Sequence, residues 1–158
     1  MLLWYLGMSV LLVAYVFRSH GIDYRLIALG AVLPVLVSVV TGGQSYGSTL
    51  LAAVALLAVV MLGTIGRPRL TRRRLLCVPI GYFAGLVLSG AWLDADRFWW
   101  PAGGSSIEVG PILPAWWVVV ALEAIGLVAC WWMVGLCDLY EREPRRELWR
   151  TGRLRLPA

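Results

Sequence analysis

The stretch Leu29–Gly43, "LGAVLPVLVSVVTGG", decides how this chain is read. It is apolar almost throughout, yet Pro34 interrupts it and Ser38 follows four residues later. Proline removes an i→i−4 hydrogen bond and kinks an ordinary helix. Inside a membrane the freed backbone group is satisfied by neighbouring helices, and the same proline is tolerated. The stretch therefore reads as one membrane helix among several.

The rest of the chain supports that reading. Of its 158 residues, 60% are hydrophobic and 15% charged, with a mean hydropathy of +0.78. That is too apolar for a soluble domain of this size. Apolar segments run over roughly 2–17, 25–41, 48–66, 75–93 and 115–137. A span needs about 20 apolar residues, so the first two are slightly short and would borrow Trp4, Tyr5 and Tyr24 at the interface. Soluble core helices would need polar faces, and these segments have almost none. The expected fold is all-α: a polytopic membrane bundle of about five transmembrane helices over residues 1–140, then an Arg-rich cytoplasmic tail, 141–158. No charge precedes Arg18, so the first run lacks the usual signal-peptide pattern and is expected to stay in the membrane.

All 14 basic residues are Arg. The net charge of +5 raises nucleic acid as a partner, but the Arg residues lie in short loops and a tail between apolar runs. The positive-inside rule accounts for them better, and no nucleic acid is expected. "RPRLTRRR" (67–74), the tail "EREPRRELWRTGRLRLPA", Arg18 and Arg25 all fall on one side if the N-terminus is outside and the C-terminus inside; only Arg97 does not. This implies a multi-pass protein of the cell membrane, the inner membrane of a bacterium. The outer loop "DADRFWWPAGGSSIEVGPILP" reads as an interfacial aromatic belt, or as a lid over an outward cavity. The tail is expected on the inner surface, with Leu148, Trp149, Leu154 and Leu156 touching lipid.

Polar residues at membrane depth are few. Glu123 is the acid well inside a span, where burial favours its protonated form; an intramembrane carboxylate is a functional candidate unless, neutral, it hydrogen-bonds a neighbouring helix. His20 sits beside Arg18 and Asp23 in the inner loop and cannot by itself build a His-rich metal site. Asp94, Asp96 and Glu108 belong to the outer loop, where solvation is the simplest reading. Cys130 and Cys137 are about 10 Å apart along one helix, too far for a mutual disulfide. With Cys77 they read as free, buried cysteines. Gly81, Gly85 and Ser89 recur at four-residue spacing, a small-residue face for helix packing.

These motifs together resemble the predicted membrane-bound metal-dependent hydrolases, a family of small inner-membrane proteins. "MLLWYLG" is similar to that family's opening, "DYRLIALGAVLPVLVS" to its Leu-Pro-Asp-x-x-Asp helix, and "YGSTLL" to its Gly-His-Thr/Ser-Leu segment. "FAGLVLSGAW" is similar to its His-x-x-x-Asp helix, with "RFWWP" following as its Trp-Pro segment does. "LWRTGRL" in the tail has the same character. The resemblance implies a divalent metal, but the ligand residues are gone. The family's histidine positions fall here on Tyr5, Ser48 and Gly85, and its aspartate positions on Val35, Ser38 and Ser89. Fixing such an ion takes carboxylates or imidazoles. No cofactor is therefore expected.

The Arg asymmetry and helical spacing put all six of these positions in one layer near the outer surface. The expectation is a pseudoenzyme: a non-catalytic scaffold binding a membrane lipid, a membrane-protein partner or a second copy through an outward cleft and the Gly81–Ser89 face. The alternatives are a hydrolase using Glu123 with Asp94 or Asp96, and a small transporter or channel subunit.

Overall fold

The computed structural model describes residues 1–17, 22–41, 45–102, 115–137 and 140–152. Arg18, His20, Glu108, the lid segment 103–114, and Leu154 and Leu156 of the tail lie outside the described residues, as does the side chain of Trp149.

The described residues are helical, without strands: α1 Leu2–Phe17, α2 Tyr24–Val40, α3 Leu50–Gly63, α4 Arg69–Leu75, α5 Cys77–Ser89, the short α6 Ala95–Phe98, α7 Trp116–Leu136 and α8 Arg142–Thr151. Short 3-10 turns cover Ser45–Ser48 and Ala91–Leu93. The all-α expectation holds. Among the described residues, α7 alone of the expected spans is long and apolar enough by itself to cross a membrane. Helices α1, α2 and α3 are apolar but shorter, and the expected 75–93 run ends as helix at Ser89.

Local chemistry sets these ends. Thr49 caps α3 by accepting from the Ala52 amide at 3.2 Å. Gly90, at φ +70°, closes α5 in the left-handed conformation that suits glycine. Pro79 has no N–H for the carbonyl of Leu75, which separates α4 from α5 at Leu76. The break is slight: Leu76 keeps right-handed helical geometry, with Leu76 N donating to Arg72 O at 3.0 Å and Ile80 N to Leu76 O at 3.3 Å. Pro34 is buried within an unbroken α2.

Two parallel pairs form the bundle. In the first, α2 and α5 touch backbone to backbone. A Cβ on Gly81 would collide with Ile27, on Gly85 with Ala31, and on Gly30 with Val78. In the second, Gly126 of α7 lies against the backbone of Leu3 and Trp4, and Gly7 of α1 against Gly126 and Cys130. Helix α1 runs antiparallel to α5, since the Trp4 indole donates to Leu88 O at 3.2 Å. The core gathers Val13, Tyr24, Ile27, Cys77, Met133 and Cys137. A smaller cluster joins Ala53 to Tyr82 and Leu86.

The tail folds back instead of lying free. Tyr24 N donates to Gly152 O at 2.9 Å, and Gly152, at φ +73°, sits where a side chain would strike the Asp23 carboxylate. Leu148, partly buried, packs on the core cluster. Tyr5 and Tyr24 are likewise buried, 5% and 2% exposed, and do not serve as interfacial residues.

Outside this core the surface is unusually apolar. Val54, Val59 and Leu62 of α3 face outward, as do Trp116, Trp117, Val120, Leu127 and Trp131 of α7.

Candidate functional site

The elements that carry the six positions of the expected cleft meet at one end of the bundle. Trp4 reaches Leu88 there, the Tyr82 hydroxyl donates to Gly47 O at 2.7 Å, and Gly47 rests on Pro34 and Val37. Their chemistry is inward-directed. Tyr5 is buried. Ser38 Oγ donates to Pro34 O at 3.0 Å and Ser89 Oγ to Leu86 O at 2.8 Å, each within its own helix. Gly85 is closed by Ala31. Val35 and Ser48 are half-buried. A hydroxyl already donating to its own helix has lost its only proton to local bonding.

A divalent metal does not fit these residues. None of the six is a carboxylate or an imidazole. Among the described residues no group of three or more His, Cys, Asp or Glu could hold a metal ion. The described cysteines form no disulfide, with Cys77 and Cys137 buried and Cys130 half-buried.

The Gly81–Ser89 face packs within the chain. Helix α2 covers Gly81 and Gly85, which leaves that part unavailable to a partner. Ser89 is exposed and accepts from Ala91 N at 3.3 Å, helping to close α5.

Glu123 has a definite place. Its Oε1 accepts from Leu2 N at 2.8 Å, its Oε2 from Leu3 N at 2.9 Å, and it pairs with the Met1 amino group. It stands eighth in α7, so the first two turns of α7 rise about 10 Å beyond the start of α1. The first amides of any helix lack partners, and here they open beside a longer apolar helix. Glu123 supplies the acceptors, as an acid at a helix N-terminus does. The carboxylate is a cap for α1: it does hydrogen-bond a neighbouring helix, but as an acceptor paired with an ammonium group and not in the neutral form expected.

Sequence reading missed three features. The Trp4 and Trp92 indoles donate to Leu88 O and Val87 O at 3.2 Å each, capping the last carbonyls of α5. Asp23 is buried and contacts Arg25 Nε at 3.5 Å; with Thr71, Arg73, Arg74 and Thr151 it lines a polar cavity of ≈ 230 Å³ at the Arg-rich end. Its position just before an apolar run was the available signal. The third is an apolar groove of ≈ 470 Å³ between α1, α3 and α5. A further cavity of ≈ 260 Å³ lies between α1, α2, α7 and α8. None of the six cleft positions lines any of these three.

Comparison with family models, curated proteins and solved structures finds no match.

Proposed function

We propose that this chain is a multi-pass protein of a bacterial inner membrane, similar in scaffold to the membrane-bound metal-dependent hydrolases and without their catalysis, and that it holds a lipid. The observation that carries the reading is the outward apolar surface. Only 17% of the most apolar window of α7 is buried, whereas the core helix of a soluble protein is mostly buried. Large contiguous apolar patches on soluble monomers are rare, and α3 presents one as well. The shorter helices, 13 residues in α5 to 17 in α2, span about 20–26 Å. A hydrocarbon core of about 30 Å adapts to this by local thinning and by anchoring of the flanking tryptophans.

The absence of catalysis rests on the same six positions. Carboxylate and imidazole donors are missing there, and Glu123 is engaged at the start of α1. A lipid is favoured over a helical partner because α2 occupies the glycine face of α5. Purified protein incubated with Zn²⁺, Mn²⁺ or Mg²⁺ and desalted is expected to carry no stoichiometric metal and to cleave no ester or phosphodiester substrate. One equivalent of tightly held metal, or metal-dependent hydrolysis, would overturn this reading.

A further inference from the structure

We propose that the groove between α1, α3 and α5 binds an anionic phospholipid of the inner leaflet, its acyl chain between the helices and its phosphate on Arg72. The inference rests on the membrane-spanning reading and names the lipid it would hold.

The groove walls are apolar, with Val16 and Phe17 from α1, Val54 and Leu57 from α3, and Ile80 and Phe83 from α5. They offer nothing to a polar ligand and suit a hydrocarbon chain. Their continuation toward the Arg-rich end is what identifies the ligand. The backbone hydrogen bonds through Leu76 carry α4 into α5, so Arg72, Leu76, Ile80, Phe83 and Val87 share one helical face. Val54, Leu57 and Met61 do the same on α3. The two stripes meet where Arg72 Nη2 contacts Met61 Sδ at 3.4 Å.

A guanidinium thus stands on the same two helical stripes as the groove walls, beyond the residues that line the groove itself. A thioether is a weak acceptor and takes one of five N–H donors. Arg72 is exposed, so its remaining donors can form the paired bonds that suit a phosphate. Arg69, Arg73 and Arg74 lie on α4 with it and Arg67 just precedes that helix, and they add to the local positive potential. An uncharged apolar helix would gain nothing from this cation, and a soluble anion nothing from the groove. An amphiphile with an anionic head uses both.

The test is native mass spectrometry of the full chain in detergent, titrated with dioleoyl phosphatidylglycerol or dioleoyl phosphatidylcholine. The wild type is expected to bind phosphatidylglycerol about fivefold more tightly. Arg72→Gln, at an exposed position, should remove that preference and leave phosphatidylcholine binding unchanged. Leu57→Trp, filling the groove, should weaken both lipids; Val54→Trp serves if the first fails to fold. Arg146→Gln, on α8, should keep the preference. Equal binding of both lipids by the wild type would overturn the proposal. So would a preference that survives Arg72→Gln, or an equal loss in Arg146→Gln, which would mean diffuse surface charge. A chain that stays in the membrane on carbonate extraction but shows no preference loses this inference alone. One released by extraction loses the membrane reading beneath it.

Discussion

Gly81→Val is expected to break the α2–α5 pair and to lose most of the folded protein. A Cβ at Gly81 meets the backbone of Ile27, including its carbonyl oxygen. Backbone cannot swing aside as a flexible side chain can, so the two helices must separate. Separation also strips cover from Ile27 and Ala31, which are fully buried. Overpacking of a tight core costs about 3 kcal/mol at its upper range, and a melting temperature lower by about 10 °C follows for a chain of this length. Gly135→Ala provides the internal comparison. Nothing lies within 4 Å of its Cβ position, and alanine favours a helix over glycine by about 1 kcal/mol. Thermal melts in detergent should place the two variants on opposite sides of the wild type. A Gly81→Val protein that melts like the wild type would mean that the close α2–α5 contact is absent.

Glu123→Ala is the second large effect. It removes the acceptors for the Leu2 and Leu3 amides and leaves the Met1 amino group without its carboxylate partner. Unsatisfied polar groups of this kind cost about 1–3 kcal/mol. Glu123 keeps 31% of its side-chain exposure, which moderates the loss relative to a sealed site. Glu123→Gln retains one carbonyl acceptor and should fall between the two. Hydrogen exchange at Leu2 and Leu3 is the direct readout: fast in Glu123→Ala, slow in the wild type. Equal protection in both would remove the capping role.

Much of this fold was legible from residue pattern. The uninterrupted apolar runs gave the helices, and the Arg asymmetry anticipated the end at which α4 and α8 meet the start of α2. The four-residue spacing of Gly81 and Gly85 announced close packing, although not which helix would use it. Pattern was silent where two distant segments meet. Glu123 looked isolated because its partners are backbone amides about 120 residues away, and amides carry no sequence signature. Ser38 and Ser89 looked like remnants of a polar cleft, yet a serine in an apolar helix satisfies itself on a carbonyl three or four residues back. The groove could not be foreseen, since its three walls come from separate helices and the nearby cation from the Arg-rich segment 67–74, which positive-inside topology already explained.

The central claim is that the two ends of this bundle face opposite sides of a membrane. Asp94→Cys and Arg145→Cys place single thiols at exposed positions on opposite ends; the native protein, whose Cys77 and Cys137 are buried, sets the background. Treated as intact cells with a membrane-impermeant maleimide, Asp94→Cys should label and Arg145→Cys should label only after permeabilisation. Labelling of both before permeabilisation, or of neither, would contradict the account.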